Sequence, residues 1–286
     1  MSQDIQSKVL IVKPTICQVG KSRTDKEITS EVHEQHSMDA SAGQYVKKLW
    51  PEQYLKGFTK IVGEAYRFHK RNTVVSQFGD LLPTIRFEQY KERMDAFIAS
   101  FDQEAEDFCA RYDEIIAKAR EIHNGTFKLE FYPAKEAVRN EFSFTIFTAP
   151  VPRVKDLAVS YLDDERISQI RQEIESSVTN AGREASRQVM QRVLECVNHI
   201  CVKLSEPEAV FRNSLIDNLK EVLKIAPALN ISDDPTVSQL IAECSTKLVK
   251  DPDLLRNNNF QRSTTALFAK QISDSFGKMG GRKLAA

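Results

Sequence analysis

Between Phe87 and Ile122 the apolar side chains fall at Phe87, Tyr90, Met94, Phe97, Phe101, Ala105, Phe108, Tyr112, Ile115, Ala119 and Ile122. Steps of three and four place them on one helical face, and the repeated step of four at Phe101–Ala105 is the mark of a stutter. Unbroken, such a helix of roughly 36 residues would be ~54 Å long. A second stripe, from Ile167 through Ile170, Ile174, Val178, Ala181, Ala185, Val189, Val193, Cys196 and Ile200 to Leu204, predicts another long helix. Asp163-Asp164-Glu165 opens it, and acidic groups suit the unpaired N–H groups of a helix start.

Between the stripes the period changes to two. Glu141-Phe-Ser-Phe-Thr-Ile-Phe-Thr148 alternates as a half-buried strand does, and Pro150 and Pro152 end it. Its expected partner is a β-branched run, Val9–Val12, continued after Pro14 by Ile16–Val19. Residues 26 to 37 are expected to be helical. A further helix is expected from Pro51 to about Arg71, with Tyr54, Phe58, Ile61, Val62 and Ala65 on its apolar face. A loop carrying Gly79 and Pro83 follows. Pro207, Pro235 and Pro252 sit near the starts of shorter helices, the last two behind the capping residues Asp234 and Asp251.

The pattern therefore predicts a mainly α fold with a small β-sheet, of the α+β class. Its two long helices are expected to pack antiparallel, with Phe97, Phe101 and Phe108 facing the second. A division into residues 1–160, 161–276 and a flexible tail at 277–286 suits the element order, with single-domain packing equally open.

Composition narrows the function classes. At 41% hydrophobic and 28% charged, the chain is able to bury a core. Lys+Arg and Asp+Glu are both 40, which excludes a globally basic binder. No run of ~20 apolar residues is present, so no membrane partner is expected. The first residues lack the apolar centre of a secretion signal, and a cytoplasmic location is expected. Five scattered cysteines without a C-x-x-C pair fit reduced thiols.

Chemical motifs are few. Thr15-Ile-Cys-Gln-Val-Gly20-Lys21-Ser22 resembles a phosphate-binding loop at its end, but Thr15 stands where the first glycine is needed. The expected reading is a strand that turns at Gly20. His33 and His36 are three apart rather than the four of a zinc-protease helix, and no third ligand is evident. No catalytic residue, cofactor or metal is expected. A nucleotide hydrolase stays a remote third class, to be tested by thermal shift with ATP and magnesium.

Local charge says more than the net zero. Residues 87–122 carry ten acidic and five basic groups, whereas residues 247–286 carry three and eight. Residues 45–73 hold two acidic and seven basic groups, interleaved with Tyr45, Trp50, Tyr54, Phe58, Tyr66 and Phe68. Such interleaving suits nucleic-acid backbones and bases, although the favoured expectation is that the aromatics are core and the lysines solvate the outer face. Lys56, Lys60, Arg67 and Arg71 share one stripe of the expected helix, with Lys70 near its end, and these five are the candidate nucleic-acid contacts. Trp50 and Tyr45 would offer stacking faces.

Taken as an ordered set, several stretches resemble a known family. They are Tyr66-Arg67-Phe68-His69 with Asn72-Thr73, Leu81-Leu82-Pro83, the aromatic-rich helix, Phe142-Ser-Phe144 leading to Pro150-Val-Pro152, and Phe211-Arg-Asn-Ser-Leu215. The family is one of uncharacterised, largely phage-encoded proteins catalogued as a domain of unknown function. The likeness spans roughly residues 10 to 260. It implies no activity and no catalytic residues. It does imply partners, namely AAA+ ATPases and von Willebrand-type proteins of the cobalt-chelatase-like kind. The expected function is a non-enzymatic phage adaptor or scaffold in the host cytoplasm, working through a protein partner or self-association of the long helices. The alternative is sequence-independent nucleic-acid binding through residues 45–73.

Overall fold

The computed structural model describes residues 2–154, 163–206 and 209–281. Helix α1 (Ser2–Lys8) runs into strand β1 (Val9–Cys17), followed by β2 (Ser22–Thr24), α2 (Lys26–His36) and β3 (Val46–Lys48). Helix α3 (Lys56–Asn72) leads to the hairpin β4 (Val74–Ser76) and β5 (Gly79–Pro83), then to α4 (Phe87–Ala110) and α5 (Tyr112–His123). Strand β6 (Ser143–Pro150) precedes α6 (Asp164–Ser205), α7 (Ser214–Leu229), α8 (Pro235–Lys247), α9 (Pro252–Asn257) and α10 (Asn259–Gly281). The fold is mainly helical with a small antiparallel sheet, the α+β class expected.

Two strands replace the loop expected around Gly79 and Pro83. The sheet order is β4-β5-β1-β6, with Val9 opposite Pro83, Val12 opposite Asp80 and Val74 opposite Leu81. The hairpin closes at Gly79, whose φ of 112° suits only glycine. Cut off from β1, these short strands would leave most of their backbone groups unpaired, so it is long-range pairing that makes them strands.

The chain forms two compact units that interleave along the sequence, whereas the hydropathy pattern divides it near residue 160. One unit comprises residues 1–13, 68–90 and 148–286, the other residues 14–67 and 91–147.

The first is a helical unit built around α6. Asp163 caps that helix, its carboxylate accepting from Arg166 N at 2.7 Å. The expected stripe is buried from Val178 to Leu204 apart from the half-buried Cys196, and α7, α8 and α10 pack on it. Gly182 lets the buried Ile5 approach, since a Cβ there would lie 2.5 Å from its Cδ1. The last carbonyls of α6 have no helical partners. Arg262 of α10, 8% exposed, donates to the carbonyls of Lys203, Leu204, Glu206 and Ala209 at 3.2, 3.4, 2.5 and 2.8 Å. Its guanidinium also lies 5.5 Å from the centre of the Phe211 ring, with that of Arg256 at 5.1 Å. Asp234 and Asp251 cap α8 and α9 as expected. Pro207 lies outside the described residues. Helix α10 continues to Gly281, so residues 277–281 of the expected flexible tail are helical, and the rest lies outside the described residues.

The second is an aromatic unit. Phe58 stacks on Phe142 at 4.8 Å and meets Phe101 edge-on at 5.3 Å, while Trp50 meets Phe108 at 5.3 Å and Tyr132 at 5.0 Å. This corrects the partner expected for the first stripe. Phe101 and Phe108 pack on rings of their own unit, and α6 takes its cover from α7, α8 and α10, so the expected antiparallel pair of long helices does not form the core. The first helix also divides, at Arg111 with ψ near 11°. Hydrogen bonds from Arg111 N to Asp107 O and from Ile115 N to Arg111 O carry the helical path across.

Candidate nucleic-acid interface

After β1 the chain turns through Gly20 and Lys21, and two buried groups fix this turn. Trp50 Nε1 donates to Gly20 O at 2.8 Å, and Leu49 N donates to Lys21 O at 3.0 Å. The β2–β3 register then sets Ser22 opposite Lys48. Beyond Pro51 a 3-10 turn leads into α3, where Lys56 and Lys60 are one turn apart. Lys21, Lys48, Lys56 and Lys60 thereby line one cleft of about 510 Å³, with Glu52 the acidic residue among its lining. All four lysines are exposed, and none forms an ion pair among the described residues.

Their neighbour Lys47 behaves in the opposite way. Successive side chains of a strand point to opposite faces, so Lys47 is buried while Lys48 is exposed. Lys47 Nζ donates to Asp25 Oδ2 and to Thr126 O, both at 2.6 Å. The hydrogen bond from Lys47 holds the Asp25 carboxyl below its ordinary value despite burial, which acts the other way. The charge of Lys47 is thus matched inside the fold and is withheld from any ligand.

The candidate residues fall into two groups. Lys56, Lys60 and Arg67 are exposed on α3 within the aromatic unit, and the first two line the cleft. Lys70 and Arg71 are exposed in the helical unit, where Arg71 pairs with Glu221 at 3.0 Å. Trp50 is only 4% exposed, which corrects its expected stacking role, and Tyr54 and Phe58 are core as well. Tyr45 and Tyr66 are the exposed aromatics of this segment, at 44% and 38%. Lys21 and Lys48 escaped the sequence reading. Only the strand register brings them beside α3, and the one legible signal was the alternation at Lys47-Lys48.

The remaining motifs are structural. Thr15, Ile16 and Cys17 are extended in β1, and Ser22 opens a strand where a phosphate-binding loop requires a helix. His33 Nε2 lies 3.0 Å from Gly43 O. No three His, Cys, Asp or Glu side chains gather as a metal site among the described residues. The buried His69 sits between Tyr90 Oη at 2.8 Å and Asp80 Oδ2 at 2.9 Å. Burial pushes the Tyr90 phenol up, and at 1% exposure it offers nothing to a substrate. Asn72 Oδ1 accepts from Arg86 Nε and Nη2 at 3.0 and 2.8 Å. His69 and Asn72, from the first stretch that carries the family resemblance, therefore serve the packing around the β4–β5 hairpin and the start of α4. No described helix is long and apolar enough to cross a membrane.

Residues 21–230 match a family model described as "Protein of unknown function (DUF3150)", and the chain belongs to that family. Neither a curated protein nor a solved structure matches the chain.

Proposed function

From membership of a family with no assigned activity, we propose that this chain is a non-enzymatic nucleic-acid-binding protein that holds the phosphate backbone in its lysine cleft. The observation that carries this reading is the set of four exposed lysines around one concavity, none in an ion pair among the described residues, in a chain whose net charge is zero. Phosphate contacts of this kind are indifferent to base sequence. Four of them make log K fall with log salt at a slope of about −3, taking ~0.7–0.9 per contact. Fluorescence anisotropy with labelled oligonucleotides, from 50 to 200 mM salt, measures that slope. Reversing Lys48, Lys56 and Lys60 to Glu should abolish binding without changing the circular dichroism spectrum. Wild-type protein that binds no oligonucleotide at 50 mM salt, or a triple variant that binds as well, would sink the reading.

A scaffold role has separate support. From Asp164 to Ser177 no side chain of α6 is buried, and Ile167, Ile170 and Ile174 line a half-exposed stripe there. A partner helix suits such a stripe. A phage setting in the host cytoplasm, and partners among AAA+ ATPases and von Willebrand-type proteins, belong to this reading on the strength of the resemblance. Affinity purification with and without nuclease separates the two, since partners retained after nuclease treatment support the scaffold.

A further inference from the structure

The lysine cleft has a continuation along α3. Residues seven apart on a helix are 20° short of two full turns and about 10.5 Å apart along the axis. Thr59 and Lys60 line the cleft, so Tyr66 and Arg67 repeat their directions two turns further on. Both lie in the same unit as the cleft, and both are exposed.

Tyr66 differs from the tyrosines that build the fold. Tyr54, Tyr90, Tyr112 and Tyr132 are buried, and each hydroxyl has a partner in Glu114, His69, Pro133 O and Leu49 O respectively. Among the described residues Tyr66 has neither a hydrogen bond through its hydroxyl nor a ring contact, and it stands 38% exposed. Arg67 has no carboxylate partner there either. Its Nη1 lies 3.7 Å from where a Cβ on Gly63 would be, so the guanidinium folds back along the helix in the direction of Lys60. Lysines, an arginine and a free aromatic ring thus follow one another along a single helix.

We propose that the ligand of the cleft is a single strand rather than a duplex, with Tyr66 stacking on one of its bases and Arg67 holding an adjoining phosphate; this rests on the nucleic-acid reading above. A duplex presents its phosphates on a convex cylinder and keeps its bases stacked inside. A concave set of lysines beside an exposed ring matches neither property. An extended strand satisfies both, since it bends into the concavity and turns an open base face toward the tyrosine. Stacking of this kind tolerates any base, because every base has a π-face.

The experiment uses the full chain and three probes of equal length: a single strand, its duplex, and a single strand with abasic sites. The base-bearing strand should bind more tightly than the duplex at the same salt. Tyr66→Ala should weaken binding of the base-bearing strand by about 5–150-fold, the range of one base–aromatic stack. The same variant should leave the abasic strand unchanged, and Tyr66→Phe should restore wild-type affinity. Arg67→Gln should lower the salt slope by about 0.7 on every single strand. Equal affinity for the duplex overturns the proposal, as does a Tyr66→Ala loss shared by the abasic strand or no loss at all. In those cases the phosphate-binding reading stands, because it rests on the triple lysine variant. A wild-type protein that binds none of the probes removes both.

Discussion

The two units handle charge and burial differently. In the helical unit the core is built around a stripe of Val, Ala, Ile and Leu on α6, and two of its cations, Arg262 and Arg187, are matched to acceptors of the fold. Arg262 satisfies four carbonyls, and Arg187 pairs with Glu184 at 2.6 Å. In the aromatic unit the core is a cluster of rings, and the cations separate into two sets. Lys47 is matched by Asp25, while Lys21, Lys48, Lys56 and Lys60 line one cleft without ion-pair partners among the described residues. The comparison teaches that an exposed basic residue becomes informative when neighbouring cations of the same unit are demonstrably engaged. Within the aromatic unit the charge of Lys47 is closed off by hydrogen bonds, and the four lysines of the cleft have no ion-pair partner among the described residues.

This contrast can be broken most directly at the ring cluster. Phe101 is fully buried between Phe58, Phe142 and Phe144. Phe101→Ala should cost about 3–5 kcal/mol in chemical denaturation, as for buried Phe generally. A loss below about 1 kcal/mol would mean that the rings are not the principal core of the unit.

The buried pair sharpens the distinction between matched and free lysines. Asp25→Ala leaves the Lys47 ammonium buried without a counter-charge, a change that typically costs about 3–5 kcal/mol. The pH dependence has a definite sign. Because the folded-state pKa of Asp25 is lowered, its contribution is fully present above the ordinary carboxylate value of about 3.9. It is lost as pH falls through the lower folded-state value. Acid titration of Asp25→Ala should therefore show a shallower stability loss below pH 4 than wild type. An unchanged acid limb would assign the acid sensitivity to other carboxylates.

Arg262 offers the smaller effect in the helical unit. Removing its charged hydrogen bonds to the end of α6 should cost about 1.5–3 kcal/mol for Arg262→Ala. Arg262→Lys should recover only part of that loss, since an ammonium keeps the charge but not the planar fork. Full recovery by Lys would show that the charge at the helix end matters and the geometry does not.

Much of the fold was legible because its signals are local. The α6 stripe and the caps Asp163, Asp234 and Asp251 depend on residues within a turn of one another. The periodicity of Phe87–Ile122 identified a buried face correctly, but period says nothing about what covers that face. Phe58 and Phe142, far off in sequence, decide it. The β4–β5 hairpin was missed for the same reason, since Gly79 and Pro83 are turn signals locally and strand residues only beside β1. Within the candidate site, Lys56, Lys60 and Arg67 followed from helical spacing. Lys21 and Lys48 required the register of β2 on β3. Trp50 was misassigned because an indole between lysines looks the same in sequence whether it floors a turn or faces solvent.

Helix α6 is continuous in its hydrogen bonding yet uneven in what holds it. Among the described residues, its first fourteen bury no side chain fully. Beyond the Asp163 cap and the half-buried Ile174 at the edge of the core, they lean on the intrinsic helicity of a short peptide, which alone is marginal in water. Beyond Val178 every turn is clamped by core contacts, and the final carbonyls are held by Arg262. Amide protons along this one rod therefore exchange with solvent on a gradient, fast where the helix begins and approaching the rate of global unfolding where it ends.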